Sequence, residues 1–244
     1  MDELLEKLKE LGNKQTTEIF IPSLDWGGKI RLKSLTGGHM KMILNTITND
    51  ANFDKVLLDV IKDTTNIHED KINNLNIFDV ILITFYLRVF NIGRTVTTEN
   101  GVIIDLGDHL FKLGEYIFPK AVSWVEGEIT LNADVPSFSD RIRANDILAS
   151  LQDEHQESLI GKVFISELAK YVSGVSINGI EQMPDYQSLS YENRMKVVEV
   201  LPQTLITKLL VYIQDIQSME EELLHGSYDD KRGNIPFNAQ LFNF

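Results

Sequence analysis

The sequence has 244 residues, of which 43% are hydrophobic and 24% charged, and its formal net charge is −13. This composition is typical of a globular protein with one large or two small hydrophobic cores. The absence of cysteine excludes disulfides, thiolate metal sites and a cysteine nucleophile. The acidic charge argues against sequence-independent binding of nucleic acid and against an anionic membrane surface, because both rely on lysine and arginine.

The first segment, MDELLEKLKELGNK, is acidic from its second residue and lacks the continuous apolar core of a signal peptide. Leu4, Leu5, Leu8 and Leu11 recur at helical spacing, so the sequence predicts an amphipathic helix over residues 1–16. The apolar stripe of this helix would pack either on its own protein or on a partner.

Residues 17–96 are predicted to form a β-hairpin followed by a helical core. Two extended runs, TEIFIPSL and KIRLKSL, flank the turn residues DWGG. Thr36 is expected to cap the next helix, and a second helix carries an apolar stripe that starts at Phe53. Asn76 and Asp79 resemble the capping box of a third helix.

The body of this third helix, IFDVILITFYLRVFNIG, is apolar nearly all round, so it is expected in the core. Gly93 is expected to end it. Arg88 lies inside the helix, and its long side chain is expected either to reach solvent or to pair with a carboxylate. The run VILITFYL is bracketed by charged residues and is too short to span a bilayer.

Residues 97–150 are predicted to form a small β-rich insertion. Asn100-Gly101 is a strong hairpin turn signal, and a second turn is expected at Glu126-Gly127. The runs around these turns alternate in part between apolar and polar residues, which is typical of strands.

Residues 151–226 are predicted to be C-terminal helices that pack on the core. An apolar stripe is formed there by Leu159, Val163, Phe164 and Leu168. The following YVSGVSINGI is expected to end that helix. Ser190 is expected to cap the next helix, and Pro202 is expected to kink the long stripe beyond it or to begin a new helix.

Residues 227–244 have no helical period, and the sequence predicts an extended tail that ends in aromatic residues. Such a tail either folds back on the core or docks as a peptide on a partner's groove or sheet edge. Taken together, the segments predict an α+β fold that is mainly α-helical.

The residues offer little sign of catalysis. The five histidines have no metal-ligand spacing, and no metalloprotease, phosphate-loop or nucleophile-elbow motif occurs. The glycines of DWGG and TGGH lack the Lys-Ser/Thr of a phosphate loop and are expected to build turns. The acidic stretches HED, QDEH and MEEELL show no partner that would separate two carboxyl pKa values, as acid–base catalysis requires. The residues therefore offer no candidate catalytic residue, and we expect no cofactor, no metal and no small-molecule substrate.

The order of segments resembles one known family, the baseplate hub assembly proteins of T-even-type contractile-tailed bacteriophages. IPSLDWGGKIRLKSLTGGHMKMIL is similar to that family's hairpin and following helix, and FDVILITFYLRVFNIGRTV to its central helix. YVSGVSINGI and YENRMKVVEVLPQTLITKLLVYI look like its C-terminal helical pair around Leu-Pro. The resemblance covers residues 17–96 and 158–216. It does not extend to the aromatic tail, and the paired cysteines that some relatives carry are absent here, which excludes a metal-stabilised ribbon.

The resemblance implies a non-enzymatic tail protein, either a baseplate hub subunit or a hub assembly chaperone, acting through protein–protein binding. It implies other tail or hub proteins as partners, and a location in the host cytoplasm during assembly or in the virion tail baseplate. Because aromatic residues dominate interface energies, the candidate contact residues are Trp26, Trp124, Phe237, Leu241, Phe242 and Phe244. For the two tryptophans, core packing is the competing interpretation.

Two alternative functions stay open from the sequence. One is an acidic regulatory adaptor that binds a basic host or phage protein. The other is a small hydrolase, which would need a pocket that brings His109 or His39 next to a carboxylate.

Overall fold

The computed structural model describes residues 15–21, 29–47, 52–98, 100–113, 119–150, 156–178, 186–228 and 231–242. Within these ranges 58% of the residues are helical and the strands form small antiparallel sheets, which confirms the predicted α+β, mainly helical class. The predicted N-terminal helix lies, apart from its last two residues, outside the described ranges.

The helices and strands of the described ranges have the following bounds. The α-helices are α1 Gly37–Asn45, α2 Phe53–Thr64, α3 Glu69–Ile72, α4 Ile77–Asn91, α5 Leu106–Leu113, α6 Phe138–Ser150, α7 Gln156–Tyr171, α8 Tyr191–Glu199 and α9 Gln203–Leu224. The β-strands are β1 Thr16–Phe20, β2 Lys29–Lys33, β3 Thr95–Thr97, β4 Ile103–Asp105, β5 Val122–Glu126, β6 Ile129–Ala133, β7 Val172–Ile177, β8 His225–Tyr228 and β9 Lys231–Asn234. Short 3-10 helices occupy Tyr186–Ser188 and Ala239–Phe242.

The chain divides into two compact units. The first unit combines residues 1–118 with residues 220–244, and the second unit is the intervening segment 119–219. This division differs from the predicted one, because the boundary falls inside the expected insertion 97–150. The strands β3 and β4 and the helix α5 belong to the first unit, whereas β5, β6 and α6 belong to the second. Besides its strands, the segment 97–150 contains the two helices α5 and α6.

The first unit begins with the predicted hairpin. Strands β1 and β2 pair antiparallel with Ile19 opposite Ile30, and both side chains are buried. Thr36 caps α1 as expected: its hydroxyl accepts from the backbone N–H of His39, and the imidazole of His39 accepts from the backbone N–H of Thr36. The reciprocal bonds satisfy two donors that a helix start leaves without partners.

Helix α4 is the core of the first unit, as its all-round apolar sequence predicts. Asn76 and Asp79 form the expected capping box, with Asn76 Oδ1 accepting from Asp79 N at 2.9 Å and Asp79 Oδ2 accepting from Asn76 N at 3.1 Å. Nearly every side chain from Ile77 to Arg88 is buried. The helix ends at Asn91, and Gly93 takes a φ of 137°, a backbone conformation that other residues rarely adopt.

The segment after α9 is not an extended tail. Strands β8 and β9 pair as an antiparallel hairpin, and the final 3-10 helix contributes Ala239, Leu241 and Phe242 to the core of the first unit. The fit is close at Gly226, where a Cβ atom would clash with the side chain of Ile104. Ile235, Ala239, Leu241 and Phe242 are buried there, through long-range contacts that cannot be predicted from local periodicity.

The second unit contains a three-stranded antiparallel sheet in the order β5-β6-β7. The predicted turn at Glu126-Gly127 joins β5 to β6, with Gly127 at a φ of 58°. Strand β7 departs from the prediction, because Val172–Ile177 pairs with β6 instead of ending a helix. Ser190 caps α8 as expected, and α9 begins directly after Pro202.

Candidate protein-binding surface

Of the two tryptophans predicted as contact residues, the structure describes only Trp124. Trp26 lies outside the described ranges. Trp124 is half-buried in β5, and its ring meets the ring of Tyr212 nearly at right angles with the centroids 6.0 Å apart. In the sheet register Trp124 lies opposite the buried Leu131 of β6, so it shares the inner face of the sheet. Trp124 thus packs within the second unit, in agreement with the competing interpretation of core packing.

The predicted tail contacts also turn inward. Leu241 and Phe242 are fully buried in the first unit. Phe237 is half-buried, with its ring edge-on to Phe53 at a centroid distance of 6.1 Å. Phe244 lies outside the described ranges. Of the two interpretations of the tail, the structure matches the one in which it folds back on the core, so a peptide handle for a partner is not available in this conformation.

Arg88 explains part of this arrangement. It neither reaches solvent nor pairs with a carboxylate in the described ranges, because it hydrogen-bonds backbone carbonyls. Its Nε donates to the carbonyl of Leu241 at 2.7 Å, Nη1 to Gly93 at 2.6 Å and Nη2 to Thr95 at 2.9 Å. Burial lowers the pKa of this guanidinium. The planar fork joins the end of α4, the start of β3 and the C-terminal segment in one hydrogen-bonded cluster.

The structure exposes another apolar surface, which we call the α7 face. It consists of Ile160, Val163 and Phe164, whose side chains are 70%, 39% and 44% exposed. Residues at i, i+3 and i+4 lie next to one another on a helix, so the three form one continuous patch. Other exposed apolar residues of the described ranges, such as Phe111 and Val200, are single in their helices or turns, and single residues of this kind are normal on a surface.

The sequence places Val163 and Phe164 in the same buried stripe as Leu168, and only Leu168 is buried. Exposure along α7 changes with position: the exposed Ile160, Val163 and Phe164 are followed by the buried Ser166, Leu168 and Ala169. Periodicity shows that residues share a helix face, whereas burial depends on whether another element covers that part of the helix. The sequence signal that could have indicated this exposed patch is the presence of three large apolar residues within five positions, 160–164.

The two histidines named for the hydrolase alternative, His39 and His109, each form a hydrogen bond with the backbone. His39 uses Nδ1 as the acceptor in its capping box, which leaves the proton on Nε2, 3.6 Å from an oxygen of Asp63. Neither ring nitrogen is then free to accept a substrate proton. His109 is buried, and its Nε2 donates to the carbonyl of Leu223 at 2.7 Å. Burial lowers the pKa of His109, which favours the neutral ring.

His68 and His225, two of the remaining histidines, are exposed. His68 pairs with Asp70 within HED, and both side chains are exposed. His225 bonds the carbonyl of Glu221, one turn earlier. His155 and the rest of QDEH lie outside the described ranges.

A buried ion pair lies in the second unit, between α6 and α8. Arg194 Nη1 is 3.1 Å from Asp140 Oδ1, and Nη2 donates to the carbonyl of Gln187 at 2.6 Å. The guanidinium also lies over the ring of Tyr186, 5.6 Å from its centroid. Asp140 and Arg194 are almost inaccessible to solvent, so they join elements of the fold and present no charge to a ligand.

Within the described ranges no group of three or more histidine, aspartate or glutamate residues is arranged to hold a metal ion. Nor does any helix of those ranges combine the length and the apolar content needed to cross a membrane. Compared with known proteins, the chain matches no family model, no curated protein and no solved structure.

Proposed function

We propose that the chain is a non-enzymatic phage tail protein, either a subunit of the baseplate hub or a chaperone of hub assembly, and that it acts by binding other tail proteins. The resemblance of its hairpin, central helix and C-terminal helices to the hub assembly family supports the identity of the partners. Its place of action is then the host cytoplasm during assembly, and the tail baseplate if it stays in the particle.

The α7 face is the observation that carries the binding role. An apolar helix face with neighbours at i, i+3 and i+4 is the form in which a helix enters a groove of a partner. Ile160, the most exposed of the three residues, has the most surface left to bury. Complete burial of a large aliphatic or aromatic side chain contributes about 1.5–3 kcal/mol relative to full exposure, so covering three half-exposed side chains supplies a few kcal/mol.

The test is co-purification of the tagged full-length chain with the tail proteins encoded beside it. The variant is the pair Ile160→Gln and Phe164→Gln, which keeps helix-forming residues and removes two apolar contacts. The matched control is the pair Val200→Gln and Val211→Gln, at two other exposed apolar positions of the second unit.

We expect the wild type and the control to recover a hub or tail protein and the α7 variant to lose it. Recovery of the same protein by the wild type, the α7 variant and the control would show that the α7 face is not the binding surface. Failure of the wild type to bind any tail protein would refute the proposed function. Binding to a basic protein outside the tail would favour the adaptor alternative.

A further inference from the structure

The outward face of the N-terminal hairpin is basic, in contrast to the acidic chain. Strand β2 presents Lys29, Arg31 and Lys33 on one side, while Ile30 and Leu32 between them are buried. The cross-strand register places β1 residues opposite each cation: Phe20 opposite Lys29, Glu18 opposite Arg31 and Thr16 opposite Lys33. These six residues form what we call the basic hairpin face, with three positive charges and one negative charge.

The cations of this face have no partner among the described residues. The structure shows no hydrogen bond or ion pair for the side chains of Lys29, Arg31 or Lys33 within those ranges, although Glu18 lies directly across from Arg31. By contrast, Arg94 forms ion pairs with two aspartates. Phe20 adds an apolar side chain that is 52% exposed. The face thus combines a net positive charge with one exposed aromatic side chain.

We propose that the basic hairpin face binds a short, extended, acidic segment of a partner protein. Alternate residues of a strand point to the same side and repeat at about 6.6 Å. An extended partner segment with acidic residues at alternate positions repeats at the same distance, so its carboxylates meet the three cations in register. Phe20, beside Lys29, contacts an apolar residue at one end of that segment.

The charge of the whole chain favours a short partner over a long polyanion. A nucleic-acid duplex carries one negative charge per about 1.7 Å and runs well beyond a patch of three cations. The chain as a whole, with a formal net charge of −13, repels it. Screening limits such repulsion to about 10 Å at moderate salt, so a short segment seated on the patch is affected little.

This inference rests on the proposed function only in assigning the chain a protein partner, and it uses a different surface. Its test measures binding of a fluorescein-labelled peptide of alternating glutamate and threonine to the full-length chain by fluorescence anisotropy, at low and at physiological salt. The variant is Lys29→Gln with Arg31→Gln and Lys33→Gln. The control is Lys112→Gln with Lys196→Gln and Lys208→Gln, three exposed lysines elsewhere that give the same change in net charge.

We expect the hairpin variant to bind the peptide about tenfold more weakly than the wild type, which corresponds to about 1.4 kcal/mol, and the control to bind like the wild type. Equal weakening in both variants would show a response to net charge and would overturn the proposal. Absence of binding to the wild type at low salt would do the same. Duplex DNA that binds this face more tightly than the peptide would overturn the assignment of a protein partner.

Circular dichroism melting checks that the hairpin variant is folded, and the single change Arg31→Gln replaces it if the melting temperature falls. Loss of peptide binding leaves the α7 experiment unaffected, because that experiment depends on a surface of the second unit. A failure of this inference can therefore be told apart from a failure of the proposed function.

Discussion

Replacing Arg88 with lysine should release the C-terminal segment from the first unit. The guanidinium donates to the carbonyl oxygens of Leu241, Gly93 and Thr95 at 2.6–2.9 Å. A lysine ammonium keeps the charge but lacks the planar fork, so it can satisfy one carbonyl in good geometry and leaves two buried carbonyls without their donor. Hydrogen bonds that involve a charged group contribute about 1.5–3 kcal/mol each. For two lost bonds the expected loss is therefore about 3–6 kcal/mol in the stability of the first unit.

Amide hydrogen exchange is the assay, because it reports each segment separately. In Arg88→Lys, we expect faster exchange for the amides of residues 235–242 and a smaller effect in the second unit. The control is Arg94→Lys, an exposed arginine that pairs with Asp105 and Asp108, for which we expect exchange close to wild type. Unchanged protection of residues 235–242 in Arg88→Lys would refute the role assigned to this arginine.

Two further predictions concern buried carboxylates. Burial raises the pKa of Asp79 from 3.8 to about 7, so its neutral form stabilises the fold fully below pH 3.8, and this contribution is lost as the pH rises to about 7. Asp79→Asn keeps an oxygen for the Asn76 N–H and cannot ionise. It should therefore raise the free energy of unfolding above pH 7 by up to about 4 kcal/mol, and equal denaturant midpoints for the two proteins at pH 8 would contradict this. Asp140→Asn should destabilise the second unit by about 3–5 kcal/mol, because it leaves the Arg194 cation buried without its counter-charge. A thermal melt of the second unit that matches wild type would show that the pair contributes nothing.

Local chemistry could be predicted from the sequence. The caps at Thr36 and Asn76 depend on side chains within three residues of the helix start, and the turn at Gly127 depends on its positive φ. These interactions are short-range, so the residue types at those positions are sufficient to predict them. The mainly helical class follows from the same local patterns.

Long-range contacts could not be predicted in this way. Val172–Ile177 forms a strand because it pairs with the edge of β6, which lies some forty residues earlier in the chain. Strand propensity is a local property and cannot predict such a distant pairing partner. Leu241 and Phe242 are buried because the first unit has space for them and Arg88 bonds the adjacent backbone. Phe164 is exposed because no described element covers that part of α7. In each case the decisive partner is distant in sequence.

The most direct test of the proposed binding role is photo-crosslinking from the α7 face. The photoreactive residue p-benzoylphenylalanine is introduced in place of Phe164, and in a second chain in place of Val200 as the control. Both chains are expressed with the tail proteins encoded beside them and are irradiated. The account predicts an adduct with a hub or tail protein from position 164 and none from position 200. No adduct from position 164, or the same adducts from both positions, would contradict it.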